Sequence, residues 1–318
     1  MTSFDAKVNV SGAWKEIADV KVNVGGSWKT VEDIFVRDAT TWHSIKKGAP
    51  VDTGVYTISW TESSTSNNIT WSGDAASMTE AQRLAKIKEH CHFAVVKWGG
   101  SKPVVNYWLY DNNLNYRATD ETGKTSSGVA SNLTGTDGDV MMLYETVWWK
   151  VTTSGSGTSR TITISFTWDK SKTDSTWVSP HHYGDSLSAT TYAKYVGQGV
   201  FPAYNSSNQM RSINTSSSPK GSLTQNEFYD AAIYGRNWQY NNKLPMTYAW
   251  YIIQLYFVKG DRDCQAAYGN GICGTSSVYS CNVNWSATSP WINGTTTDKI
   301  TGVTALGIHN PWGQYDEF

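Results

Sequence analysis

The chain has 318 residues, room for one large domain plus a small one and for an ample core, so stability does not call for staples. A net charge of -1 with 17% charged residues offers no footprint for nucleic acid or an anionic membrane surface, and the longest apolar run is too short to cross a bilayer. The 16 Trp and 18 Tyr, on a background rich in Ser, Thr, Asn and Gly, point to a β-rich protein with stacking surfaces, although most aromatic side chains in any chain are core.

Residues 8 to 48 hold three copies of one unit, VNVSGAWKEIADV, VNVGGSWKTVEDI and VRDATTWHSIKKG, with Trp14, Trp28 and Trp42 at equivalent positions. In each, alternating residues such as Val8 and Val10 or Val22 and Val24 lead into a Gly or Thr turn, then Trp, then a β-branched residue: Ile17, Val31, Ile45. That pattern predicts a short hairpin. One hairpin cannot bury its own face, so stacked copies, or copies from several subunits, must cover each other. The repeats therefore read as an attachment module with Trp14, Trp28 and Trp42 as contacts; the plainer reading is a small Trp-rich subdomain with no such role. Asp38 and Gly48 make the third copy degenerate, as befits a terminal cap. Lys46 to Pro50 is a polar, Gly/Pro-marked break, giving domains 1–48 and 49–318.

From Val55 a strand-like stretch leads to Ile69-Thr70-Trp71. Ser77 and Glu80 have the spacing of a capping box, which predicts a surface helix over 78–90 ending at Cys91 and His92. Adjacent Cys and His side chains seldom face one another, so a buried thiol at a helix end is expected in place of a nucleophile and base. Residues 94 to 168 read as strands with Gly-rich turns. Asp137-Gly138-Asp139-Val140 and Trp148-Trp149 are expected to form a buried strand pair with its aromatic face inward. His181 and His182 lack a third ligand or a carboxylate motif at useful spacing, so turn histidines are expected.

After a strand around 195–201, Thr224 and Glu227 form another capping box opening the helix QNEFYDAAIYG. The run from Tyr248 to Val258 is apolar almost throughout, with no amphipathic stripe, and predicts a core helix starting near Pro245 and stopping at Gly260. Residues 275 to 305 show neither period and read as a long aromatic loop on a rigid scaffold, the kind that is functional when not disordered. The cysteines Cys91, Cys264, Cys273 and Cys281 contain no C-x-x-C pair, so a zinc site is not expected. The start MTSFDAKV has no apolar signal segment, which implies assembly in a reducing cytosol and free thiols, with pairing of Cys264 and Cys273 across one loop left open.

Several of these stretches, taken in order, resemble one family. They are the opening to Met78, Asp137 to Leu143 with Trp148 to Val151, Trp177 to Tyr183, Ile253 to Val258 followed by Gln265 to Ile272, and Asn310-Pro311-Trp312-Gly313. Together they resemble the C-type-lectin-fold domain of bacteriophage tail and adhesion proteins, shared with formylglycine-generating-enzyme-like proteins. The N-terminal units are similar to attachment repeats of phage structural proteins. The resemblance implies a mainly β protein of α+β type: hairpin repeats, then a C-type-lectin-like domain with about three helices. It also implies a virion tail-fibre or receptor-binding protein, assembled in the bacterial cytoplasm. Residues 1–48 would join other virion proteins, and the domain would contact a host glycan or protein. A homo-oligomer is expected, a trimer by analogy with fibres. The alternative is a structural virion component, such as a capsid decoration or tail adaptor, that touches no receptor.

Stacking and amide hydrogen bonds would carry binding, so the candidate contacts are Trp238 and Tyr240 from the loop before the core helix and Tyr279, Asn282, Asn284, Trp285, Trp291 and Asn293 from the long loop. The alternative is that these side chains clamp the loop to the core. The Glu-Pro-Asn, Gln-Pro-Asp and Trp-Asn-Asp triplets of calcium-dependent lectins are absent, so binding without metal or cofactor is expected. An enzyme is not expected: family domains continue past the Asn-Pro-Trp-Gly stretch into the region that carries their cysteines, and this chain stops.

Overall fold

The computed structural model describes residues 53–62, 65–100, 103–179, 193–201, 211–215, 245–269, 289–293, 303–309 and 311, together with the backbone of short strands between 7 and 44 and at 204–206 and 209–210. The chain divides into two compact units, Met1–Val55 and Tyr56–Phe318. The helix expected from Thr224, the polar loop after it and the His181-His182 pair lie outside the described residues.

The first unit is three separate antiparallel hairpins: β1 (Lys7–Val10) with β2 (Ala13–Glu16), β3 (Lys21–Val24) with β4 (Ser27–Thr30), and β5 (Phe35–Arg37) with β6 (Trp42–Ser44). Their registers are equivalent. Trp14 stands opposite Asn9, Trp28 opposite Asn23 and Trp42 opposite Arg37.

The second unit is built on two four-stranded antiparallel sheets. One runs β14 (Trp148–Ser154), β15 (Thr161–Thr167), β7 (Tyr56–Thr61), β8 (Thr70–Gly73); the other runs β10 (Pro103–Trp108), β9 (Cys91–Trp98), β13 (Asp139–Glu145), β16 (Tyr195–Gly199). Further pieces are the ribbon β11 (Tyr116–Ala118) and β12 (Ser126–Ala130), and the small pair β17 (Tyr204–Ser206) and β18 (Gln209–Arg211). The three-stranded β19 (Ile292–Asn293), β20 (Thr304–Ala305) and β21 (Ile308–His309) completes the set. Helices among the described residues are α1 (Glu80–Glu89), α2 (Pro245–Lys259) and α3 (Cys264–Tyr268). The protein is therefore mainly β, in antiparallel sheets with few helices.

The strand pair expected at 137–151 is not a pair. β13 lies between β9 and β16, whereas β14 lies at the edge of the other sheet beside β15. The chain changes sheets at Thr146 and Val147, where Thr146 Oγ1 donates to the carbonyl of Ala193 at 2.6 Å and Val147 is fully buried. β13 is buried on both faces. Val140, Met142 and Tyr144 join Cys91, Phe93 and Val95 of β9 in the main core, and Met141 and Leu143 join Ala94 and Val96 in a smaller cluster behind. Close packing of β9 on the start of β13 leaves no space at Gly138, where an added Cβ would sit 2.3 Å from the Val96 carbonyl oxygen. Asp139, also buried, accepts from Ser212 N at 2.7 Å and Arg211 Nε at 3.0 Å; burial, its largest influence, raises its pKa. The Asp-Gly-Asp-Val stretch is thus a structural clamp.

Helix α1 begins two residues later than its sequence suggests. Ser77 belongs to a short 3-10 turn, Asp74–Ser77, and the capping box forms at Thr79, whose hydroxyl accepts from Gln82 N while Gln82 Oε1 accepts from Thr79 N at 2.8 Å. Cys91 and His92, expected at the end of this helix, instead open β9. Residues 303–309, read in part as loop, are buried throughout, with Tyr251 donating its hydroxyl to the Ala305 carbonyl at 2.8 Å. At Gly307, φ is 85° and an added Cβ would lie 2.1 Å from Met142 Cε, so close approach to the core requires glycine.

Helix α2 is the centre of the unit. Trp250, Tyr251, Gln254, Leu255, Phe257 and Val258 are essentially inaccessible, as the unbroken apolar run predicts, and Phe166 of β15 meets Trp250 and Phe257 with ring centroids 5.1 Å away in each case. A buried helix end must find donors for its last carbonyls. Gly260 N reaches Tyr256 O at 2.8 Å, Trp71 Nε1 reaches Phe257 O at 2.8 Å and Arg83 Nε reaches Val258 O at 3.1 Å. Tyr268 of α3 adds a hydroxyl to Leu255 O at 2.9 Å, and Ile69 N donates to Gly260 O at 2.9 Å. Arg83 lies flat on Trp71, 3.8 Å from the ring centroid. Gly260 takes the left-handed φ of 73°, and a Cβ there would be 2.0 Å from Trp71 Cη2.

Trp71→Phe keeps the packing surface and removes the donor to Phe257 O, so it is expected to cost about 1–3 kcal/mol of stability. Gly260→Ala should also destabilise, because it places a side chain at a positive φ and against the indole. Urea unfolding of both variants checks this, and midpoints equal to the wild type would show that the clamp does not matter.

Candidate functional site

The sequence places its binding candidates in two loops, and the described residues hold only one end of one of them. Trp238, Tyr240, Tyr279, Asn282, Asn284 and Trp285 lie outside the described residues. Trp14, Trp28 and Trp42 are placed by backbone register alone. Asn293 is exposed on β19, opposite Thr304. Trp291 corrects the expectation. It is 3% exposed, packs edge-on against Phe93 with centroids 5.0 Å apart, and has the Lys88 ammonium 5.0 Å from its ring centroid. Its faces are occupied by the protein, so it clamps the loop to the core, as the alternative reading had it, and presents no platform to a ligand.

A cluster that the sequence reading passed over sits where α1 meets β9. The Glu145 carboxylate bonds His90 Nδ1 through Oε2 at 2.8 Å and His92 Nε2 through Oε1 at 3.0 Å. His90 stacks on Trp168 with centroids 4.0 Å apart, and His92 is buried between the edges of Trp108 and Tyr195. Hydrogen bonding to His90 first, and then to His92, holds the Glu145 carboxyl down at about 2. His90 caps the end of α1 and His92 is the second residue of β9, so the two meet at Glu145 across a helix-to-strand junction that no sequence period marks. The residue between them turns the other way: Cys91 Sγ donates to Gln254 Oε1 at 3.2 Å inside the main core, where burial raises its pKa well above the ordinary thiol value. Cys91 and His92 therefore project from opposite faces of β9. Cys91 and Cys264 are free thiols, and burial lifts Cys264 to about 12. Among the described residues no group of three or more His, Cys, Asp or Glu is arranged to hold a metal ion.

The ribbon between β10 and β13 is widely exposed. All five residues of β12 are exposed, and the ribbon also carries the exposed side chains of Tyr116 (41%) and Val129 (52%). Such a ribbon needs anchoring, since two strands with open faces are not stable alone. Tyr107 donates its hydroxyl to Asn132 O and Asp137 Oδ2, each at 3.0 Å, and Arg117 lies 3.9 Å from the Tyr107 ring centroid while its Nε bonds Ala130 O at 3.2 Å. Leu114 plugs the core, and the base is tied by Lys124 Nζ to Asp111 Oδ2 at 2.7 Å and by Asp111 N to Gly123 O at 2.9 Å.

In the comparisons with known proteins, no family model, no curated protein and no solved structure matches the chain.

One buried titratable group sets an acid limit on the unit. His309 is fully buried, with Nδ1 3.3 Å from Thr304 Oγ1, and burial pushes its pKa down to about 4 from an ordinary 6.5. A folded pKa below the unfolded one means that the stabilisation is complete above about pH 6.5 and is lost as pH falls toward 4. Glu145, depressed from 4.5 to about 2, adds a second loss that begins as pH falls through about 4.5 and is complete near 2. Unfolding free energy should thus fall by up to about 3 kcal/mol between pH 6.5 and 4. Unfolding measured across this range should lose that slope in His309→Gln and keep it in Glu145→Gln; a slope unchanged in His309→Gln would assign the effect elsewhere.

Proposed function

We propose that this chain is a virion tail-fibre or receptor-binding protein that attaches a phage to its host cell surface by non-covalent, metal-independent binding, with residues 1–48 as the joint to other virion proteins. Under this reading the second unit is a C-type-lectin-like domain, and the chain works as a homo-oligomer. The observation that carries the proposal is the division of labour between the units. Three hairpins of one register precede a separate compact unit with its own aromatic core. A lone hairpin cannot bury its own face, and neighbouring repeats or another protein supplies the cover. A rigid second unit leaves side chains on projecting segments free for recognition without covalent chemistry.

A structural virion component is the second reading. It is favoured by the outer half of the edge strand β14, Val151 to Ser154, where Val151 is 54% exposed and all four residues are open to solvent. An uncovered edge of β-branched residues suits contact with a neighbouring subunit.

Fluorescently labelled full-length chain is expected to bind candidate host bacteria saturably, with binding unchanged by EDTA. Replacing Trp14, Trp28 and Trp42 together with Ala is expected to abolish incorporation into particles while cell binding persists. Absence of cell binding, combined with a position buried between subunits of the particle, would favour the structural reading; loss of binding on chelation would overturn metal independence.

A further inference from the structure

We propose that the open edge of β14 pairs with the same edge of a second copy of this chain, antiparallel about Thr152, so that two sheets become one. This rests on the reading of the chain as a homo-oligomer and deepens it by naming the interface.

Register shows which backbone groups are open. Trp149 and Val178 exchange two hydrogen bonds, each of 2.8 Å, on the side of β14 away from β15. Outward and inward groups alternate along an antiparallel strand, and β14 pairs with β15 in unbroken register. The N–H and C=O of Val151 and Thr153 therefore point outward, as those of Trp149 do, and nothing bonds them among the described residues. The ladder that Val178 starts stops at once, because the chain turns just before it, with Trp177 N donating to Asp174 O at 3.2 Å. At the other end β14 finishes at Ser154, and Gly155 enters the turn with a φ of 77°. The open stretch is Lys150 to Ser154, with Thr152 at its centre.

The core face of this sheet runs in cross-strand rows. Val178 closes the row of Trp149, Phe166 and Tyr56. The next row, Trp71, Ile58, Ile164 and Val151, ends on a side chain that is 54% exposed. Such an edge is a template for a further strand, and the devices that usually blunt one, Pro, a bulge or a charge, are absent from Val151 to Ser154.

The fit of the open stretch to itself selects a second copy. Pairing about Thr152 sets Val151 opposite Thr153 of the copy and the reverse, so the outward N–H and C=O groups of both residues are used in both chains. On the core face the Thr153 methyl then meets the exposed Val151 of the copy. On the other face Thr152 meets its twin, extending the uncharged row of Thr70, Ser59, Thr163 and Thr152 across the joint. Lys150 comes opposite Ser154 of the copy, which keeps like charges apart. A twofold centred on Lys150 or Val151 would need the groups of Trp149, and Val178 already holds them.

The test is sedimentation velocity on the full chain, together with cysteine cross-linking. Wild type is expected as a dimer or a multiple of two. Thr153→Pro removes an outward N–H and Val151→Lys places a charge in the joint; each is expected to raise the dissociation constant at least roughly tenfold, with circular dichroism matching the wild type. Thr152→Cys is expected to give a disulfide between copies on mild oxidation. Facing residues of a non-hydrogen-bonded pair have Cα atoms about 4.5 Å apart, within disulfide range. Ser154→Cys is expected not to cross-link, since its twin would lie about 13 Å away along the strand. A trimer, an assembly unmoved by both edge substitutions, or cross-linking through Ser154→Cys in place of Thr152→Cys overturns the inference and leaves the homo-oligomer reading standing. A wild-type chain that is monomeric at every concentration removes that reading and the inference with it.

Discussion

The second unit depends on finishing a helix in a place that water does not reach. Helix α2 is largely buried from Trp250 to Val258, so its terminal carbonyls cannot be left to solvent, and each unpaired one would cost on the order of 1–3 kcal/mol. Donors for the carbonyls from Leu255 to Val258 come from four places: the Tyr268 hydroxyl, Gly260 N, the Trp71 indole and the Arg83 guanidinium. These belong to α3, the end of α2 itself, β8 and α1. The clamp therefore fixes α1, α3 and the edge of one sheet around the helix terminus, and the order of the elements follows from satisfying one set of backbone groups. Arg83 can be buried because it serves two carbonyls and lies on an aromatic face; desolvation still lowers its pKa, the signature of a charge held in the interior.

The second constraint is that β9 and β13 have protein on both faces. A strand in that position cannot show the apolar and polar alternation of a surface strand, and its residues divide between two clusters by parity alone. Parity also separates Cys91 from His92, while the turn from α1 into β9 brings His90 beside His92 on Glu145. The cluster at Glu145 ties the end of α1 to the end of β13, next to the point where the chain leaves one sheet for the other. Its polar groups are turned toward one another, which suits a joint better than a reaction centre.

With helix and central strands committed to the core, the open surface is left to the connecting segments. The β11–β12 ribbon projects because Tyr107, Arg117, Asp111 and Lys124 tie its base and leave its outer face free. In the first unit each hairpin is a two-stranded sheet, which its own pairing cannot stabilise alone.

Much of this was legible in the amino-acid order. The repeated Val-x-Val and Trp spacing predicts the three hairpins, the unbroken run to Val258 predicts a core helix, and Gly260 marks its end; all are local patterns, written within a dozen or so residues. What local pattern left open was partnership. Nothing near Trp148 says that it leaves the sheet of β13, nothing near Trp291 says that its faces are covered by Phe93 and Lys88, and Thr79 outcompetes Ser77 as a cap because a 3-10 turn takes Ser77 first. An aromatic residue in a polar stretch has the same sequence signature whether its ring meets solvent or core. Tyr116 and Trp291 are alike in that respect, and only the packing of distant segments, by covering one ring and leaving the other open, decided between them.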